Sequence, residues 1–109
     1  MKTLKLELDF MNGPVWKGHY DIESGNMDTG LPVVDSDVIV QELNEHIQNS
    51  YNSCYDFPPN GGSVFNEQKW NELRPDLIPS FSELLKRLDV INDGTFELED
   101  NLSGTFLNS

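Results

Sequence analysis

The sequence predicts an α+β domain: an antiparallel sheet drawn from the N- and C-terminal strands, with two to three central helices packed on one face. Three observations predict it. Residues 4–10, LKLELDF, alternate, with Leu4, Leu6, Leu8 and Phe10 on one side and Lys5, Glu7 and Asp9 on the other. Ser80-Phe81-Ser82-Glu83 is a capping box, and Phe81, Leu84, Leu85 and Leu88 follow at helical spacing. Residues 95–99, TFELE, alternate again. With 109 residues and no internal repeat, linker or low-complexity tract, the chain reads as one domain over 1–109. That length can bury a single core without disulfide staples.

Strand one spans Thr3–Phe10. Met11-Asn12-Gly13-Pro14 is a turn, since Asn-Gly and Pro interrupt regular structure. Strand two spans Val15–Ile22 and closes a hairpin. Trp16, Gly18, Tyr20 and Ile22 fall on one side of it; Lys17, His19, Asp21 and, just beyond, Glu23 fall on the other. Residues 24–35 read as loop until Val33-Val34. Asp35 or Ser36 caps a helix with an apolar stripe of Ile39, Val40, Leu43, Ile47 and Tyr51, ending near Ser50. Residues 52–63, NSCYDFPPNGGS, form a long turn-rich loop. Asn66 caps a short helix through Trp70 to Leu73, stopped before Pro75 because the residue preceding a proline disfavours helix. A further helix starts at Ser80 and ends with Lys86 and Arg87, cations that the helix dipole favours there. Asn92-Asp93-Gly94 turns the chain into the strand at 95–99, with Phe96 and Leu98 inward and Glu97 and Glu99 outward. Gly104–Leu107 reads as a last short strand.

The charge is lopsided: 19 acidic residues face 7 Lys+Arg, a formal net charge of −12. Such a chain is repelled by nucleic-acid phosphates and by anionic membranes. Its charge suits a cationic partner, or serves solubility alone. The single cysteine, Cys54, excludes an internal disulfide and fits a reducing compartment. The first ten residues lack the continuous apolar run of a secretory leader. No stretch approaches the ~18–20 apolar residues of a membrane span. The expectation is a cytoplasmic protein. Asn101-Leu102-Ser103 matches a glycosylation acceptor, a pattern short enough to arise by chance.

If the predicted strands share one sheet, their outward residues pool. Lys5, Glu7, Asp9, Lys17, His19, Asp21, Glu23, Glu97 and Glu99 then lie on one predominantly acidic surface. Like charges across a sheet are destabilising, so a fold that keeps such a face either tolerates the cost or uses the face to select a basic partner. A charged outer face is also what plain solvation produces. Tyr51, Tyr55, Phe57, Phe65 and Trp70 bracket the 52–63 loop. Aromatics with short polar neighbours suit a protein interface; they equally well staple a loop to a core, the better reading for Phe65 and Trp70.

Catalytic constellations are weak. Asp28-Thr29-Gly30 is the triplet of aspartic proteases, but that chemistry needs the carboxylate on a rigid apolar strand, and Gly25-Asn26 precede it. His19, Asp21 and Glu23 align on one strand face, a weak metal signal when exposed. His46 sits at the edge of its helix's apolar stripe. Cys54 has no neighbouring cation in sequence to lower its thiol pKa. Asp35-Ser36-Asp37 lacks the glycine and distal glutamate of a calcium loop, and Gly61-Gly62-Ser63 lacks the lysine and preceding strand of a phosphate loop. The expectation is a protein that is not an enzyme, without catalytic residues, metal or cofactor.

Two patches carry a resemblance. LKLELDF at 4–10 resembles the first strand of the small acidic immunity proteins that neutralise colicin- and cloacin-type ribonucleases. NSCYDF at 52–57 is similar to that family's Asn-Gly-Cys-aromatic-Asp segment, which leads into a strand at the toxin interface. Contact-dependent growth inhibition immunity proteins share the broader plan. The resemblance implies an inhibitor that binds a basic toxin domain, of the nuclease class, and makes Cys54, Tyr55 and Asp56 interface positions. Beside them, Phe57 is a candidate anchor, and Glu7, Asp9, His19, Asp21, Glu23, Glu97 and Glu99 form the candidate acidic contact surface. The same physics fits a nucleic-acid mimic that blocks a host defence nuclease. The remaining alternative is a small acidic adaptor domain whose charge serves solubility.

Overall fold

The computed structural model describes residues 2–9, 11–23 and 25–107, with backbone only at 19–21, 26–27 and 107. In chain order the elements are β1 (Lys2–Leu6), β2 (His19–Asp21), β3 (Asn26–Asp28), α1 (Pro32–Asp35), α2 (Val38–Asn52), β4 (Tyr55–Asp56), β5 (Val64–Phe65), α3 (Glu67–Ile91), β6 (Phe96–Asp100) and α4 (Ser103–Leu107). The class is α+β, as expected. The strands form two-stranded sheets: β1 with β6, β2 with β3 and β4 with β5.

The terminal strands do pair, but in parallel, with Leu4 beside Leu98 and Lys5 beside Glu99. This corrects the expected antiparallel arrangement. A hairpin forces antiparallel pairing, whereas a connection carrying helices allows the second strand to run the same way. The other edge of β1 meets residues 12–16 as a hairpin. Leu6 bridges Val15 and Asp9 bridges Asn12, both antiparallel, and Trp16 N–H donates to Lys5 O at 2.9 Å. The chain therefore reverses between Asp9 and Asn12, tighter than the expected turn at 11–14. Gly13 is required here: its φ is +87°, and a Cβ would sit 1.8 Å from Glu7 O. Phe10, expected on the buried side of strand one, lies outside the described residues. Beyond Trp16 the second strand does not continue along β1; residues 19–21 pair with 26–28 instead.

That hairpin is offset by one residue from the expected facing. Val15 pairs with Leu6 and is fully buried, so Trp16 faces the other side with Lys5. Asn44 fixes this. It is buried in α2, and its Oδ1 accepts Val15 N–H at 2.8 Å. Lys17 then turns toward α2, where its Nζ donates to Gln41 Oε1 at 2.6 Å.

The cap of α2 is Asp37, not Asp35 or Ser36. Its Oδ1 accepts Val40 N–H at 2.9 Å. Val40 and Ile47 are buried, while Ile39, expected in the stripe, is exposed. Asn66 caps α3 by accepting Lys69 N–H at 3.0 Å, as expected. The helix then runs unbroken to Ile91 through Pro75 and Pro79, which corrects the two-helix reading and its start at Ser80. Each proline strips a donor from the carbonyl four residues back. Those carbonyls belong to Asn71 and Pro75, both exposed, where water can serve them. The opposite face stays apolar across both prolines: Trp70, Leu77, Phe81, Leu84 and Leu88 are buried.

After β6, residues 103–107 are helix rather than the expected strand. The Asp100 carboxylate accepts the N–H groups of Leu102 and Ser103, both at 2.9 Å, and the Ser103 hydroxyl also bonds to it. Burial pushes this carboxyl pKa up, but those hydrogen bonds outweigh it and leave it below the usual range. The helix drops Phe106 into the core, stacked on Phe81 at 4.5 Å between centroids.

Candidate functional site

The register of β1 and β6 sets what the outer face presents. Thr3 stands beside Glu97 and Lys5 beside Glu99, and Glu7 continues the odd-numbered side past the end of β1. Lys5 lies among these acids. Its Nζ is 2.6 Å from Glu7 Oε2 and 5.0 Å from the centroid of the Trp16 ring. The bond to Glu7, with Glu99 adding its charge, holds the ammonium pKa above its usual value. Glu97 and Glu99 are exposed, and Glu99 Oε2 accepts from Asn101 Nδ2 at 3.2 Å.

The structure brings Glu7, Glu97 and Glu99 together and distributes the other expected acids elsewhere. Asp9 is exposed at the hairpin tip, where Met11 N–H reaches Asn52 Oδ1 at the end of α2. Glu23 is exposed in the turn between β2 and β3. The side chains of His19 and Asp21 lie outside the described residues. Their strand pairs with β3, so they do not extend the β1–β6 sheet. Lys17 leaves the acidic face for Gln41.

The 52–57 segment divides into a buried foot and a surface. Cys54 is fully buried, which corrects its reading as a contact residue. Its thiol donates to Ser50 O, and burial pushes its pKa up. Tyr55 and Asp56 form β4 and pair with Phe65 and Val64. Asp56 accepts from Asn66 Nδ2 at 3.2 Å, and Phe57 is 64% exposed.

Tyr55 continues inward as a chain of rings. It meets Phe65 edge-on at 5.1 Å and Tyr51 at 5.7 Å; Tyr51 meets Trp70 at 5.2 Å, and Trp70 meets Phe106 at 5.7 Å. Burial raises the Tyr51 phenol pKa strongly, helped by its hydrogen bond to Tyr55 and by the charge of Asp9. The staple reading thus describes Phe65 and Trp70. Between these rings and the end of the sheet opens a cleft of about 280 Å³, lined by Glu7, Leu8, Tyr51, Phe65, Trp70, Asn101, Leu102 and Thr105.

Sequence reasoning missed Trp16 and Asn101 at the acidic face. The signal for Trp16 was available: Val15 and Leu6 are both apolar and both sit where a tight hairpin would pair them, which sends Trp16 outward. Asn101 had no sequence signal. A larger cleft of about 910 Å³ opens among Lys2, Leu31, Pro32, Val33, Asp93, Gly94 and Thr95. Its polar groups are engaged locally: Lys2 Nζ donates to Gly30 O, and Asp93 accepts from Thr95, which holds that carboxyl below its usual range.

The Asp28-Thr29-Gly30 triplet closes a loop. Asp28 accepts Gly30 N–H at 3.0 Å, and the Thr29 hydroxyl lies 3.1 Å from Asp35 Oδ1. Among the described residues no group of three or more His, Cys, Asp and Glu is placed to hold a metal ion, and no helix is long and apolar enough to cross a membrane. Compared with protein-family models, with curated proteins and with solved structures, the chain matches none.

Proposed function

We propose that this protein is a cytoplasmic inhibitor of the immunity type, which binds a basic toxin domain of the nuclease class and occupies its substrate-binding surface. The carboxylates take the place of substrate phosphates. The observation that carries the reading is the convergence of Glu7, Glu97 and Glu99 on one face of the β1–β6 pair, in a chain of net charge −12. Core residues Leu4, Leu6 and Phe96 hold the other side of the strands, so this face is left for a partner. Complementary charge accelerates encounter and selects the partner, and exposed anchors such as Phe57 add the short-range contacts that resist salt. Within the 52–57 segment, Tyr55 and Asp56 form β4, paired with β5, and Phe57 follows exposed at the surface.

The adaptor reading also has an observation in its favour. Glu42, Glu45, Glu67, Glu72, Asp76, Glu83 and Asp89 are exposed on α2 and α3, so acid is spread around the molecule as solubility alone would spread it.

One experiment separates the two. Tagged protein captures partners from a lysate of the source cells, eluted with rising salt. Association of the captured protein is then timed against wild type and the Glu97→Lys/Glu99→Lys variant. The inhibitor reading expects one basic nuclease that survives moderate salt, loses activity when bound, and associates about tenfold more slowly with the variant. Loss of every captured protein at modest salt, or association indifferent to the reversal, would leave the adaptor reading.

A further inference from the structure

We infer that the 280 Å³ cleft at the end of the β1–β6 pair is a receptor for a single arginine side chain presented by the basic partner. The inference rests on the proposed inhibitor function and names the chemical group that the partner contributes.

The cleft joins two surfaces that the sequence keeps apart. One wall comes from the sheet: Glu7 and Leu8 just past β1, Asn101 and Leu102 just past β6. The other is aromatic: Tyr51 from the last turns of α2, Phe65 from β5, and Trp70 from the first turns of α3. Three aromatic residues and one glutamate among the lining of a side-chain-sized space are a set whose chemistry favours a planar cation. A guanidinium stacks on aromatic faces and pairs with a carboxylate through its fork of N–H donors. A free anion meets the acidic charge of the chain, and a neutral apolar group makes no use of Glu7.

Glu7 is already placed for a cation. Its Oε2 is shielded from solvent and lies 2.6 Å from Lys5 Nζ. Lys5 thus holds the carboxylate in the free protein, and from that same position its Nζ lies 5.0 Å from the Trp16 ring centroid, with Glu99 adding its charge. An incoming guanidinium takes the Glu7 carboxylate from the cleft side while Lys5 stays with Trp16 and Glu99. Lys5 is then an internal competitor, which gives the inference a sign that a purely structural Glu7 does not share: removing Lys5 strengthens the site.

The test uses the isolated protein and Nα-acetyl-arginine amide, with the citrulline analogue as the neutral isostere and the lysine amide as the alternative cation. The Trp70 indole N–H resonance in labelled protein reports occupancy. The expected result is a saturable shift at Trp70 with the arginine amide and little with the citrulline analogue. Glu7→Gln should weaken it about fivefold, and Lys5→Met should tighten it about fivefold at low salt. Lys2→Met changes the net charge equally, but Lys2 Nζ is engaged with Gly30 O, so it should leave the affinity nearly unchanged.

Equal response to the citrulline analogue, a preference for the lysine amide, or equal effects of Lys5→Met and Lys2→Met would overturn the inference. The readouts also part it from the reading beneath it. Silence of the amide while Glu97→Lys/Glu99→Lys slows the captured partner sinks the cleft alone. Binding of the amide with no basic partner captured sinks the partner reading and keeps the cleft.

Discussion

Two acidic regions of this molecule are built by opposite rules. At the seam between the start of α2 and the end of α3, Asp37 is nearly spent: its Oδ1 caps Val40, and Arg87 grips the carboxylate with two nitrogens, Nε at 3.1 Å and Nη2 at 2.6 Å. The Asp37 side chain is only 10% exposed there. On the outer face of β6, Glu97 and Glu99 stand exposed with Lys5 among them. The difference teaches where to look for function in a strongly acidic chain. Asp28, Asp35, Asp37, Asp93 and Asp100 all accept local hydrogen bonds that shape loops and caps. Acids with such structural work to do are poor candidates for contact with a partner; the glutamates of the outer face are better ones.

The largest test of this division lies on the structural side and involves no charge. Asn44 is buried at 4% exposure and supplies the acceptor for Val15 N–H. Asn44→Ala leaves that backbone donor stranded in the core, at a cost of about 2 kcal/mol. The loss should appear as a lower denaturation midpoint with an unchanged slope. A cost under about 0.5 kcal/mol would mean that the 12–16 segment is held by its pairing with β1 alone.

Asp37 gives the next effect and a pH signature. Its carboxyl is held below the usual value, first by the hydrogen bonds from Arg87. A group with a depressed folded pKa contributes its stability above the unfolded value, near 3.8, and loses it as pH falls through the folded one. Asp37→Ala removes cap and ion pair together and should cost about 1–2 kcal/mol at neutral pH. Asp37→Asn keeps a good capping group, so it should cost less at neutral pH. It should also flatten the stability loss below pH 4 in acid titrations followed by circular dichroism. An acid limb as steep as that of wild type would move the acid-sensitive contact away from this seam.

The seam and the face also differ in how far the sequence revealed them. The alternation of Leu4, Lys5, Leu6 and Glu7 placed Glu7, Glu97 and Glu99 outward without any knowledge of strand direction, because side-chain facing is a local property of period two. Asn66 as a cap and Asn92-Asp93-Gly94 as a turn were legible for the same reason. The pairing of β1 with β6 was not: whether it runs parallel depends on how the helices between them return the chain. Pro75 read as a stop, and Ser80 as a new start, because proline disfavours a helix interior. The structure absorbs Pro75 and Pro79 by placing both on the wet face while Leu77, Phe81 and Leu84 carry the core across. The cleft was illegible as a site, since Glu7, Tyr51, Trp70 and Asn101 are far apart in sequence and meet only after α2, α3 and β6 have packed.

The smallest expected effect on stability is the sharpest for function. Glu97 and Glu99 lie on one side of β6, where like charges repel, and neither caps a helix or fills the core. Glu97→Gln/Glu99→Gln should therefore change stability by less than about 0.5 kcal/mol, with any shift toward greater stability at low salt, where repulsion is least screened. Thermal denaturation at two ionic strengths measures both. Lys5 complicates the sign, because Glu99 also attracts it; the single variants resolve this, with Glu97→Gln the more stabilising of the two. If instead the double variant lost more than about 1 kcal/mol, these glutamates would belong with Asp37 among the structural acids. Slower association of their charge-reversed form would then report damage to the sheet rather than loss of a contact. Stability held constant is the condition under which a slowed association can be assigned to the face itself.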